Sequence, residues 1–219
     1  MAIRKLYGNL NSPATLKVMS CLFEHDLEFE FVSVDLAAGE NRKKEFLAMN
    51  PFGQVPVYQD GDIIQFESRA ILRSMAHEHA HSMNGRELIC FDSRMQAIVA
   101  NWIDVEDHKF EPPACQLAIE YLVKPKKELE PDQAVVDEAQ AKLAKVLDVY
   151  EGQLAKHKYI AMDKYTIADV LHLPNLQNLM NTPSRRLIES RPHVRAWCAE
   201  ILARPTWVKV LEMQKKAQA

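Results

Sequence analysis

Residues 50–71 read NPFGQVPVYQDGDIIQFESRAI, and the fold of the first third of the chain turns on them. VPVYQD (55–60) and IIQF (63–66) are β-type runs on either side of Gly61, the pattern of a hairpin. Pro56 stands near the start of the first run, where it cannot donate to a sheet ladder. One reading is a turn proline before an edge strand. The other is a cis Val55–Pro56 bond, which would turn the Val55 N–H and C=O outward for a peptide ligand to pair with as an added strand. FESRAI (66–71) then crosses from strand to helix. A helix N-terminus there offers unpaired N–H groups and positive partial charge to a carboxylate, and Glu67 beside it suits an ammonium group. The plainer reading of Glu67 and Ser68 is a helix cap.

Upstream, IRKLYG (3–8) reads as a strand and Pro13 to His25 as a helix, with Ser12 as N-cap and Pro13 at the first helical position. LEFEFVSVDL (27–36) alternates apolar and polar residues, as a half-buried strand does. Arg42 to Met49 is a short helix and Glu67 to His79 a longer one. A βαβ unit followed by an antiparallel hairpin gives a mixed sheet with helices on its faces. The expected fold is an α/β thioredoxin-like N-terminal domain, residues 1–81.

From Leu88 onward the strands vanish. Glu87–Tyr121, Asp132–His157, Ile167–Leu179 and His193–Leu202 carry helical spacing, with Val135, Leu143, Val146, Leu147 and Tyr150 as the apolar stripe of the second. An all-α C-terminal domain is expected over 88–219, joined by a polar linker, AHSMNGRE (80–87).

Composition narrows the class. Lys+Arg is 27 and Asp+Glu is 30, a net charge of -3, which lacks the electrostatic footprint of a nucleic-acid binder. No stretch reaches the roughly 20 apolar residues of a membrane helix, and no secretory signal opens the chain, so a soluble cytoplasmic protein is expected. Cys21, Cys90, Cys115 and Cys198 form no CxxC pair and read as reduced thiols. His77, His79 and His81 lack acidic or cysteine partners at metal spacing, so no metal is expected. Met75, Met83 and Met95 read as core or interface filler, and Trp102, Trp197 and Trp207 as core anchors.

Two further segments bear on chemistry. In SPAT (12–15), a serine hydroxyl at a helix N-terminus can donate one hydrogen bond to a thiolate, lowering a thiol pKa from about 8.5 with help from the helix field. Its bland counterpart is a plain N-cap. In GENRKKEF (39–46), Arg42, Lys43 and Lys44 form a basic cluster able to hold a carboxylate, or simply a solvated face. Together the four segments offer a thiolate donor, a carboxylate clamp, a peptide-pairing edge and an amino-acid clamp. Glutathione has a thiol, a glycine carboxylate, a cysteinyl backbone and a γ-glutamyl head to match.

On NPFGQVP, QDGD and FESRAI, and on VEDHKFEPPA (105–114), AKLAKVLDVYE (141–151) and the stretch from Tyr159 to Pro174, the chain resembles the phi class of glutathione transferases, known chiefly from plants. The resemblance covers essentially the whole chain. It implies a homodimeric, serine-type cytoplasmic enzyme of detoxification and stress response, with glutathione as co-substrate, Ser12 as the catalytic serine and Pro56 as a cis proline. It assigns Gln54 and Val55 to the cysteinyl backbone, Glu67 and Ser68 to the γ-glutamyl group, and Asn41 and Arg42 to the glycine carboxylate. At the last two positions the chain departs from a common His and Lys. The resemblance also implies an electrophile site in an apolar cleft between the domains, bordered by Leu10, Asn11, Pro13, Leu36, Ile119 and Leu122. It further implies a folding role for Thr166 and Asp169 as a capping-box variant, and a dimer anchor at Phe52. Tyr7, near where tyrosine-type classes keep their catalytic tyrosine, is expected to be a packing residue. The implied activity is conjugation of the glutathione thiolate to apolar electrophiles, with glutathione peroxidase activity as an extension. The rival is a non-catalytic carrier of glutathione or flavonoids.

Overall fold

The computed structural model describes residues 4–80, 87–90 and 92–218. The chain forms two compact units, one running to Ile89 and taking in the residues from Pro205 onward, the other spanning Cys90–Arg204. The linker residues 81–86, with His81 and Met83, lie outside the described residues.

The first unit carries β1 (Arg4–Gly8), α1 (Pro13–Glu24), β2 (Phe29–Ser33), a 3-10 turn at Glu40–Arg42, α2 (Lys44–Leu47), β3 (Val57–Asp60), β4 (Ile63–Phe66) and α3 (Ser68–Glu78). The sheet order is β2-β1-β3-β4, with β1 parallel to β2 and antiparallel to β3. This is the expected mixed thioredoxin-like sheet. Leu6 and Val57, both fully buried, lie on its central strands.

Residues 205–219 were expected to belong to the helical domain; instead α10 (Pro205–Gln218) clusters with the first unit. The reason lies in α1. Leu16, Val18, Met19, Cys21 and Leu22 are buried, and so are Lys17, Ser20 and Glu24 on the remaining side of that helix. A helix buried all round needs cover all round. It packs against both α3 and α10. Trp207 and Val210 of α10 are fully buried, and the Thr206 hydroxyl donates to the Glu24 carboxylate.

The second unit is built, over its described residues, from helices and the loops between them: α4 (Ser93–Val105), α5 (Glu111–Ala118), α6 (Gln133–Leu154), α7 (Ile167–Met180), α8 (Arg186–Glu189) and α9 (Pro192–Leu202). The single helix expected over 87–121 differs in two respects. It starts later, where Asp92 accepts from the Arg94 and Met95 amides at 2.8 and 3.1 Å. It is also interrupted by a π-helical turn at Glu106–Phe110. Pro112 and Pro113 follow that turn. They lack N–H groups, and their rings crowd the carbonyls of His108 and Lys109, so the wider turn accommodates them. On α6 the buried stripe is Val136, Ala139, Leu143, Leu147, Tyr150 and Leu154; the expected Val135 and Val146 sit at its margin. Among the described residues no helix is long and apolar enough to cross a membrane.

The Thr166–Asp169 box is present and does more than cap α7. The fully buried Asp169 carboxylate accepts from the amides of Ile160 (3.0 Å) and Thr166 (2.9 Å) and from the Trp197 indole N–H (2.9 Å). It thus ties the loop before α7 to α9. Burial pushes its carboxyl up to about 6, against these donors, which pull it down. The folded protein therefore holds this proton more tightly than the unfolded chain does, so the group's contribution to stability falls as pH rises from about 4 to about 6. Asp169→Ala leaves four buried donors, the Thr166 hydroxyl included, without this acceptor. Thermal melts at neutral pH are expected to show a loss of about 3–5 kcal/mol. A melting temperature within about 2 °C of wild type would exclude the tie.

Candidate active site

One end of the sheet gathers the catalytic and binding candidates. The carboxyl ends of β1 and β4, the start of β3 and the N-termini of α1 and α3 all meet there. Tyr7 pairs with Val57, and Val57 with Phe66. Extending that register past the strand ends sets Pro56 opposite Glu67 and Val55 opposite Ser68. The Val55–Pro56 bond is cis. Val55 makes none of the described backbone hydrogen bonds, so its N–H and C=O remain for a partner.

Ser12 caps α1 as expected, with extended backbone (φ -88, ψ 117) and its Oγ accepting from the Thr15 amide at 3.4 Å. Accepting that bond leaves the hydroxyl proton to point elsewhere. The loop that presents Ser12 is held on three sides. Asn9 Nδ2 donates to the Val34 carbonyl (3.1 Å), Asn9 Oδ1 accepts from the Asn11 amide (2.9 Å), and Gln214 Nε2 donates to the Leu10 carbonyl (2.7 Å). Asn9 and Gln214 are positioning residues that the sequence reading missed. Asn9 carries the signal of an Asx turn; Gln214 is distant in sequence and carries none. Gly8 is required where β1 passes α1, since a Cβ there would meet Thr15 Cγ2 at 2.4 Å.

Glu67 is the N-terminal flanking residue of α3, yet its side chain makes no capping bond. Its φ of 69° places it in the left-handed region, which costs a non-glycine residue about 1–3 kcal/mol. Its carboxylate is exposed, while Ser68 is buried at the first helical turn. An exposed, uncapped carboxylate on a strained backbone beside a helix N-terminus favours the clamp over the cap.

Asn41 braces the neighbouring loop. Its Nδ2 donates to the Gly53 carbonyl at 2.6 Å, and its Oδ1 is buried with no hydrogen-bond partner. Asn50 Nδ2 holds the next carbonyl, that of Gln54, at 2.7 Å. The two asparagines fix the loop that delivers Gln54 and Val55. Gly53, at φ 62, lies so close to the Asn41 backbone that a Cβ would come within 2.9 Å of its carbonyl oxygen. Arg42 is exposed beside this loop, while Lys43 pairs with Glu40 at 3.4 Å.

Tyr7 donates from its hydroxyl to Gln59 Oε1 at 3.2 Å and packs against the cluster of Val34, Phe46 and Val57, as a packing residue should. Burial pushes the Cys21 thiol far up and the Cys198 thiol up to about 12, so neither is a thiolate at neutral pH. Leu10 and Pro13 are half-buried, and Asn11 and Leu36 exposed, in the first unit. Ile119 and Leu122 lie on a second π-helical turn, Ile119–Val123, of the helical unit. Among the described residues no cluster of three metal-ligating side chains occurs.

Known proteins repeat this arrangement along the whole chain. The family model for the glutathione S-transferase N-terminal domain matches residues 4–76, and that for the C-terminal domain residues 110–205. Glutathione S-transferase PARB of Nicotiana tabacum is 49% identical over 216 residues, covering 99% of this chain and 100% of that protein. Glutathione S-transferase F7 of Arabidopsis thaliana is 44% identical, covering 96% and 100%. Among solved structures, glutathione transferase F7 of Populus trichocarpa superposes with a TM-score of 0.90 at 42% identity, covering 96% of this chain and 98% of that one. Glutathione S-transferase I of maize, solved with an atrazine glutathione conjugate, gives 0.90 at 37%, covering 98% and 99%. With both of its domain models matched and relatives near half identity over its full length, the chain belongs to the glutathione S-transferase family, among the phi-class members.

Proposed function

We propose that this protein is a glutathione transferase that binds glutathione along the end of its sheet and activates the thiol with Ser12. The observation that carries the reading is the convergence, at one sheet end, of a serine hydroxyl free to donate, an unpaired Val55 backbone beside a cis proline, and the Glu67–Ser68 helix start. The cysteinyl backbone pairs with Val55. The γ-glutamyl ammonium meets Glu67, and its carboxylate the α3 N-terminus at Ser68. Asn41 supports the Gly53–Gln54 loop, which leaves Arg42 as the cation for the glycine carboxylate. The Ser12 hydroxyl donates to the thiolate, which attacks the electrophile without a covalent enzyme intermediate; the protein contributes thiol activation and proximity. Leu10, Asn11, Pro13 and Leu36 border the electrophile's place on the first unit. A glutathione-affinity column followed by a panel of activated aryl halides and organic hydroperoxides tests the reading. Retention with no turnover of any member would favour the non-catalytic carrier instead.

Assembly as a homodimer is part of the same proposal. Phe52 is 70% exposed and meets Phe66 edge to face at a centroid distance of 6.1 Å, so most of its ring is left uncovered by its own domain. Such an aromatic suits an anchor in a partner's pocket. Sedimentation at micromolar concentration is expected to show a dimer, and Phe52→Ala to move it toward monomer. A monomeric wild type would remove the dimer; a dimer indifferent to Phe52→Ala would remove only the anchor.

A further inference from the structure

Ser12 is delivered by a tight turn. Its amide donates to the Asn9 carbonyl at 2.9 Å, which closes a β-turn over residues 9–12 with Leu10 and Asn11 at its centre. Such turns come in two forms, related by turning over the peptide between the two central residues. In the type II form the third residue takes a positive φ, which glycine and asparagine tolerate. Asn11 stands at that position. Positive φ among the described non-glycine residues is confined to Asp26, Glu67 and Glu128, so Asn11 keeps a negative φ and the turn is not of that form.

Both polar ends of the Leu10–Asn11 peptide are held. Its N–H donates to Asn9 Oδ1 at 2.9 Å, a bond made within the turn itself. Its C=O accepts from Gln214 Nε2 at 2.7 Å, a bond that comes from α10. Gln214 follows Trp207 and Val210 at helical spacing on one face of α10, and both of those side chains are fully buried. The donor is therefore anchored on the first unit by packing that the turn does not supply.

We propose that Gln214 is a positioning residue for thiol activation: by pinning the Leu10 carbonyl it keeps the turn from going over to the type II form, and so keeps the Ser12 hydroxyl aimed at the glutathione sulfur. This role presupposes that Ser12 is the thiolate's donor. Turning the peptide over breaks both bonds at once, from Gln214 and to Asn9. The hold of Asn9 Nδ2 on the Val34 carbonyl is then the side-chain brace that remains. A donor displaced by about 1 Å loses much of its effect.

The pKa of the bound thiol, read from thiolate absorbance in the binary complex with glutathione, tests this without an electrophile. Gln214→Met keeps the length and removes the donor. It is expected to raise that pKa by about 0.5–1 pH unit toward the free value of about 8.5. Below both pKa values kcat should fall in the same ratio, about 3- to 10-fold. KM for glutathione should stay within about 2-fold, since Val55, Glu67 and Ser68 lie on other segments. Asn11 supplies the decisive contrast. In the Gln214→Met background, Asn11→Val should bring the thiol pKa back toward wild type, because a β-branched residue resists positive φ. Asn11→Gly in that background should push it further up, because glycine takes positive φ freely. A glutamine that only anchors the end of α10 predicts a lower melting temperature for Gln214→Met and a thiol pKa indifferent to both Asn11 changes. The proposal is overturned by an unchanged thiol pKa in Gln214→Met, or by a raised one that Asn11→Val does not restore. Ser12→Ala, measured alongside, separates the two roles. If it raises the thiol pKa and Gln214→Met does not, only the role of Gln214 falls. If the wild-type thiol is not depressed, or Ser12→Ala leaves it depressed, both fall.

Discussion

Ser12→Ala is expected to cut the turnover of glutathione conjugation by roughly 10- to 1,000-fold, the range for losing one preorganised donor to a developing or resident anion. The geometry explains why the loss is confined to the chemical step. Ser12 Oγ accepts from the Thr15 amide, and that bond is long, at 3.4 Å, so the cap contributes little to folding. In the proposed mechanism the hydroxyl proton is the part the thiolate uses. Titrating the bound thiol by its ultraviolet thiolate absorbance should show its pKa returning toward the free value of about 8.5 in Ser12→Ala. Tyr7→Phe is the control. Its hydroxyl is occupied by Gln59, and it lies within the β1–β3 pairing, so turnover should stay near wild type. Damage by Tyr7→Phe combined with a silent Ser12→Ala would move the activating group from the helix cap to the strand.

Removing the Glu67 carboxylate is expected to weaken glutathione binding about 10- to 150-fold, the value of one charge-assisted hydrogen bond to the γ-glutamyl ammonium. Glu67→Gln keeps shape and removes charge, so it isolates the ion pair. Because the side chain makes no capping bond, the melting temperature of Glu67→Gln should stay close to that of wild type. Glu67→Gly adds a sharper contrast. Glycine adopts a φ of 69° without the penalty glutamate bears, so that variant should be at least as stable as wild type while losing affinity. Opposite movement of stability and affinity is the mark of a residue held strained for binding. Unaltered affinity in Glu67→Gln would refute the clamp and leave the site resting on Ser12, Val55 and Ser68.

Where sequence and structure agree, the signals are local. Alternation in LEFEFVSVDL, the Gly61 turn between two β-type runs, and Ser12-Pro13 at a helix start each depend on a few neighbouring residues. The expected strands and the cap appear where those signals place them. Short spacing also marked the Thr166–Asp169 box, though not its reach to Trp197, which needs the fold to bring α9 alongside.

The chain by itself determined the mixed sheet, the helical second half and the segments that carry Ser12, Val55, Glu67 and Ser68. It did so because periodicity, proline and capping chemistry act within a turn or two. Tertiary structure alone decided the rest. Only packing shows that α1, buried on every side, draws the chain from Pro205 onward back to the first unit, so that Gln214 braces the Leu10 carbonyl from 204 residues away. Only the folded loop shows that Asn41 donates to the Gly53 carbonyl and so braces the turn that carries Gln54 and Val55. Only the folded backbone shows that Glu67 sits at positive φ without a side-chain capping bond, because φ at a helix start is imposed by the strand that feeds it. Burial and distant hydrogen bonds are properties of the assembled molecule, and no window of sequence contains them.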